Sequence, residues 1–120
     1  VTAARILAVA VDCDQPDLLA EFWAKAIGHG ETRTWTDSHG LNYRQLDFAD
    51  GPALLFQPVP EGKSGKNRLH LDLAPEGLDQ RAEVERLVML GAKVLDDPPD
   101  DPWIVLADPE GNEFCVLPPR

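Results

Sequence analysis

The chain has 120 residues, 43% of them hydrophobic, which is enough apolar material for one compact domain with a core and too much for a disordered chain. Asp and Glu number 21 against 11 Lys and Arg, a formal charge of −10 that repels phosphate backbones and anionic membranes, so no nucleic-acid or membrane partner is expected. A cationic small molecule suits such a surface better.

The first element is "RILAVAV" (5–11), a short apolar run bounded by the polar "DCDQP", which predicts a buried strand. Its six uninterrupted apolar residues, Ile6 to Val11, are too few for a membrane span and lack a signal-peptide cleavage pattern. With only two cysteines, Cys13 and Cys115, there is no disulfide framework either, and a cytoplasmic protein is expected.

Helix signals follow in "DQPDLLAEFWAKAIG" (14–28): Asp14 as N-cap, Pro16 in the first turn, and Gly28 to end it. Leu18, Leu19, Phe22, Trp23, Ala26 and Ile27 form one apolar stripe. Three strand-like runs come next, "ETRTWT", "LNYRQLDF" and "PALLFQPV", separated by "DSHG" and "ADG" turns. The segment "PEGKSGKNR" (60–68) reads as a linker.

The second half repeats this order. "NRLHLDL" (67–73) predicts a strand and "LDQRAEVERLVMLG" (78–91) a helix, followed by "AKVLDD", a Pro/Asp-rich loop, "PWIVLAD" and "NEFCVL". Gly28 and Gly91 are 63 residues apart, Ala8 and His70 62, Gly51 and Gly111 60, and Gln57 and Cys115 58. A period of about 60 residues means two copies of one β-α-β-β-β unit. The fold class is therefore α+β: one domain over 1–120, with a first module at about 4–59, a linker at about 60–66 and a second module at about 67–118, forming a curved, cavity-enclosing sheet.

Strand alternation assigns faces. Leu69, Leu71 and Leu73 are expected under the second helix, which turns His70 and Asp72 to the open face. Phe114 and Val116 belong to the core, which leaves Glu113, Cys115 and Leu117 opposite. Leu54 and Phe56 pack inward, and Leu55 and Gln57 face out. Gln57, His70 and Cys115 are thus expected to share a cavity.

These features resemble the vicinal oxygen chelate superfamily, which includes glyoxalase I, bleomycin-resistance proteins and extradiol dioxygenases. "FWAKAIG", "GKNRLHLDL" and "DPEGNEFC", in this order and over essentially the whole chain, are similar to its glyoxalase-like branch. The resemblance implies a homodimer and, in metal-dependent members, four ligand positions. Carried over, these fall on Ala8, Gln57, His70 and Cys115. Ala8 has no donor atom, Gln57 is a weak neutral ligand, and Cys115 replaces the final carboxylate, so no cofactor and no divalent metal are expected.

His70 then reads two ways, as a histidine tied structurally to Asp72 or as a group that contacts ligand or moves protons. Asp72 is either its orienting partner or, raised by burial, a general base. Cys115 behaves as a small hydrophobe unless a positive charge lies close. Gln57 and Glu113 are candidate ligand contacts, and Trp35, Tyr43 and Trp103 are candidate aromatic walls, as a small-molecule pocket needs. The expected function is small-molecule binding, such as drug or metabolite sequestration. The alternative is a metal-independent lyase or isomerase using His70 and Asp72.

Overall fold

The computed structural model describes residues 2–120. They divide into two compact units, one ending at Gly62 and the other spanning Lys63–Arg120, so the break falls inside "PEGKSGKNR".

Unit 1 holds β1 (Ala8–Cys13), α1 (Pro16–Ile27), β2 (Glu31–Thr36), β3 (Asn42–Asp47) and β4 (Ala53–Pro58). Its sheet has the order β1-β4-β3-β2, with β1 parallel to β4 and the other pairs antiparallel. β1 starts three residues later than the predicted strand, leaving Ile6 and Leu7 74% and 68% exposed, and it reaches Cys13, which is buried rather than in a loop. The α1 cap position falls on Gln15 instead of Asp14, with Pro16 opening the helix. Proline suits that position because its missing N–H has no helical partner there. Leu19, Phe22, Trp23 and Ala26 are buried, Phe22 and Trp23 meeting edge to face at 5.2 Å, while Leu18 lies half exposed. Gly28 ends the helix at φ 83°, its N–H donating to the Ala24 carbonyl at 2.9 Å. Leu46, Leu54 and Phe56 complete the unit 1 core.

Unit 2 repeats the plan with β5 (Asp72–Leu73), α2 (Gln80–Leu90), β6 (Lys93–Asp96), β7 (Ile104–Ala107) and β8 (Glu113–Val116). Its sheet order, β5-β8-β7-β6 with β5 parallel to β8, matches that of unit 1 element for element. The α+β class and the duplicated β-α-β-β-β plan stand. The strands hydrogen-bond as two four-stranded sheets, one in each unit, both open at their edges.

The predicted strand over 67–73 contracts to Asp72–Leu73. Its early backbone is engaged elsewhere: the Asn67 N–H donates to the Glu113 side chain at 3.0 Å, not to the backbone of the neighbouring strand. Leu69 accordingly stands 85% exposed and does not pack under α2. The core of unit 2 is built from Leu87, Ile104, Leu106, Phe114 and Val116. No helix among the described residues is long and apolar enough to cross a membrane.

Candidate functional site

The site begins with a turn. In "DPEGN" (108–112) the buried Asp108 carboxylate accepts the N–H groups of Glu110 at 2.9 Å and Asn112 at 3.0 Å, and the Asn112 amide as well. Gly111 supplies φ 88°, which a side chain would strain. The backbone closes on itself, Gly111 donating to Asp108 and Asp108 to Asn112, both at 2.9 Å. This self-contained turn launches β8 in one register and so places Glu113 and Cys115.

β8 pairs parallel to β5 with Asp72 opposite Cys115, and the Cys115 N–H donates to the Leu71 carbonyl at 2.9 Å. Paired residues project to the same face. Three donor groups therefore meet there: the His70, Asp72 and Cys115 ligand atoms all lie within 4.8 Å of one another. His70 Nδ1 and Asp72 Oδ1 are 2.9 Å apart, both side chains nearly half exposed at 41% and 48%. Cys115 is buried beneath them at 8%. Burial, reinforced by the charge of Asp72 and a hydrogen bond to it, pushes the thiol above its ordinary value, with only Lys66 pulling the other way. A nucleophilic cysteine needs the opposite environment.

Glu113 is engaged by the chain itself. It pairs with Lys63 at 2.6 Å and accepts the Asn67 N–H, and these bonds, the Lys63 one foremost, hold its carboxyl below the usual range. Trp103 stands partly exposed just before β7. The adjoining loop is pinned by the Gln80 amide, which donates to the Pro102 carbonyl at 2.6 Å and the Val116 carbonyl at 2.9 Å.

In unit 1 the corresponding face carries Gln57, whose amide nitrogen donates to Asp12 Oδ1 at 2.7 Å. Asp12 stands opposite Gln57 as Asp72 stands opposite Cys115. That register sets Ala10, not Ala8, in the place of His70; alanine again offers no donor. Tyr43 and Trp35 are paired across β3 and β2 and stack at 5.5 Å with their rings 2° from parallel. The Tyr43 hydroxyl donates to Asp37 at 3.0 Å, and the Arg33 guanidinium sits 5.9 Å from the Trp35 ring while pairing with Asp47. Two contacts of this face, Asp12 and Arg33, were not among the predicted site residues. A groove of about 600 Å³ elsewhere in unit 1, lined by Asp14, Asp17, Glu21, Leu18 and Leu41 among others, contains none of them. Two of its three acids already face cations, Glu21 with Lys25 at 3.0 Å and Asp17 with Arg44 at 4.0 Å, so it carries less of the chemistry.

The model of the glyoxalase-like domain family matches residues 8–117. The chain belongs to that family. Solved structures place this glyoxalase-like domain in the vicinal oxygen chelate fold. The fosfomycin resistance protein FosX from Listeria monocytogenes superposes with a TM-score of 0.72 at 11% identity, over 100% of this chain and 95% of the other. Glyoxalase I from Leishmania major gives 0.68 at 14% identity, over 97% and 87%. TnmS3, an antibiotic binding protein from a Streptomyces species, gives 0.65 at 19%, over 100% and 99%. No curated protein matches the chain.

Proposed function

We propose that this glyoxalase-like domain binds a small organic molecule, as a drug- or metabolite-sequestering protein, without a resident divalent ion. The observation that carries the reading is the state of the His70–Asp72–Cys115 cluster. Two of its groups are engaged within the cluster, His70 Nδ1 with Asp72 and a thiol held protonated by burial and by the same carboxylate, which leaves His70 Nε2 to face a ligand. Metal-dependent relatives use a final carboxylate where this chain has Cys115. To use all three groups, an ion here would have to strip the Cys115 thiol of a proton that burial holds in place. In unit 1 the matching positions hold Ala10 and a Gln57 already bonded to Asp12. At these positions unit 1 thus supplies neither a carboxylate for a hard cation nor a thiolate or imidazole for a softer one. Elemental analysis of the purified chain is expected to find no stoichiometric zinc, nickel or iron. One ion per chain, whose removal by chelator abolishes the fold or ligand binding, would overturn the metal-free reading.

One observation favours a second reading. A histidine with a carboxylate at 2.9 Å is the arrangement of an acid–base pair, as a metal-independent lyase or isomerase would use. The two readings separate on His70→Gln, tested with a ligand recovered by library screening. For a binder, affinity falls by the worth of one hydrogen bond, about 0.5–1.5 kcal/mol or up to about tenfold, and the recovered ligand is chemically unchanged. For an enzyme, turnover drops about 10²–10⁴-fold while binding survives.

A further inference from the structure

We propose that Asp72 is a positioning residue that fixes His70 with its proton on Nδ1 and a bare Nε2, so that the ligand group seated at His70 is a hydrogen-bond donor: a hydroxyl, an N–H or an ammonium. This rests on the reading of His70 as a ligand contact. The geometry is local to unit 2. His70 Nδ1 stands 2.9 Å from Asp72 Oδ1, and a carboxylate offers lone pairs only, so the ring nitrogen facing it carries the hydrogen. A neutral imidazole has one N–H, which leaves the other nitrogen an acceptor. The buried Cys115 sulfur lies within 4.8 Å of the same two side chains, so Asp72 is held between the imidazole and the thiol.

Unit 1 uses its matching residue in the same way. Asp12, opposite Gln57 in the register that sets Asp72 opposite Cys115, accepts the Gln57 amide N–H at 2.7 Å and thereby orients it. Both copies of the module thus hold an aspartate on the open strand face whose observed work is to aim a neighbouring polar side chain. In unit 2 that side chain is an imidazole, and aiming it also selects its tautomer. A ligand presenting a bare acceptor to Nε2 would meet lone pair against lone pair. A donor gains one hydrogen bond there, about three- to tenfold in affinity.

The test has two arms on the full-length chain. Long-range ¹H–¹⁵N spectra taken above the imidazole titration range, with His70 assigned by comparison with His70→Gln, should show a protonated Nδ1 and an unprotonated Nε2. Asp72→Ala should lose that preference and Asp72→Glu should recover it. A proton on Nε2 in the wild-type chain, or a tautomer unmoved by Asp72→Ala, overturns the proposal. In the second arm phenol and anisole, matched apart from the donor, are titrated while the His70 Nε2 resonance is followed. Phenol should shift it and anisole should not; equal shifts from both also overturn the proposal. If neither fragment moves any unit 2 resonance while Nδ1 is protonated, small-molecule binding is the reading that fails and the positioning role of Asp72 stands.

Discussion

Glu113 and Cys115 are two steps apart on β8 and project to one face, yet their carboxyl and thiol are driven in opposite directions. Buried near Asp72, the thiol keeps its proton; Glu113, beside Lys63 and the Asn67 N–H, gives its proton up more readily than a free carboxylate. A carboxyl whose folded value is depressed stabilises the fold above the unfolded value, and that contribution is lost as pH falls through the folded one. Glu113→Gln is therefore expected to cost about 1 kcal/mol at pH 7, with the gap to wild type closing once the pH is taken below about 4. Urea unfolding of both proteins at neutral and acid pH checks this; a gap that persists in acid would mean the loss is one of packing. This partnership was not legible beforehand, because nothing local in "NEFCVL" shows that Lys63 and Asn67 fold back onto it. Asp12 was legible. Setting "AVAVDC" (8–13) over "RLHLDL" (68–73) without a gap aligns Asp12 with Asp72 and Ala10 with His70, at the offset of 60 that the strand register also gives.

The two helices occupy the same place in their modules but begin differently. α1 starts from Gln15 and Pro16, whereas α2 has Asp79 at its N-cap, the carboxylate accepting the Ala82 N–H at 2.8 Å. Asp79→Ala should cost about 1 kcal/mol, seen as a lower melting temperature and faster amide exchange in the first turn of α2, while α1 exchanges as before. Unchanged exchange at Ala82 would show that packing of Val84 and Leu87, not the cap, holds that end. Helices and hairpin strands were readable because their signals are local: an apolar stripe at helical spacing, a glycine at the end, turn residues between alternating runs. The strand beginning the second module is shorter than its sequence predicts for the opposite reason. "NRLHLDL" alternates as a strand should, but pairing is decided by which backbone groups find partners, and the Asn67 N–H is taken by a side chain. β5 is left with two residues, just enough to bring Asp72 beside Cys115.

At the scale of the whole chain the duplication is the strongest feature of the sequence, and one repeated plan accounts for the matching strand orders of the two sheets. Charge is the other property that only the whole chain possesses. A formal −10 sets up a field that reaches about 8 Å at physiological salt and about 30 Å at 0.01 M. If the ligand donates to His70 through an ammonium, that field favours it from a distance as well as in contact. Its affinity should then rise severalfold as ionic strength falls from about 0.15 M to about 0.01 M, while a neutral hydroxyl analogue binds with little change. Long-range attraction and local contact part company in Asp100→Asn/Asp101→Asn, a double change in the exposed "DDPPDD" loop. Removing two charges there should flatten the salt dependence for the cation and leave its affinity at high salt as it was. Titration calorimetry of both analogues at the two salt levels gives the four numbers required. Equal slopes for cation and neutral analogue would mean that the net charge serves solubility and plays no part in selecting the ligand.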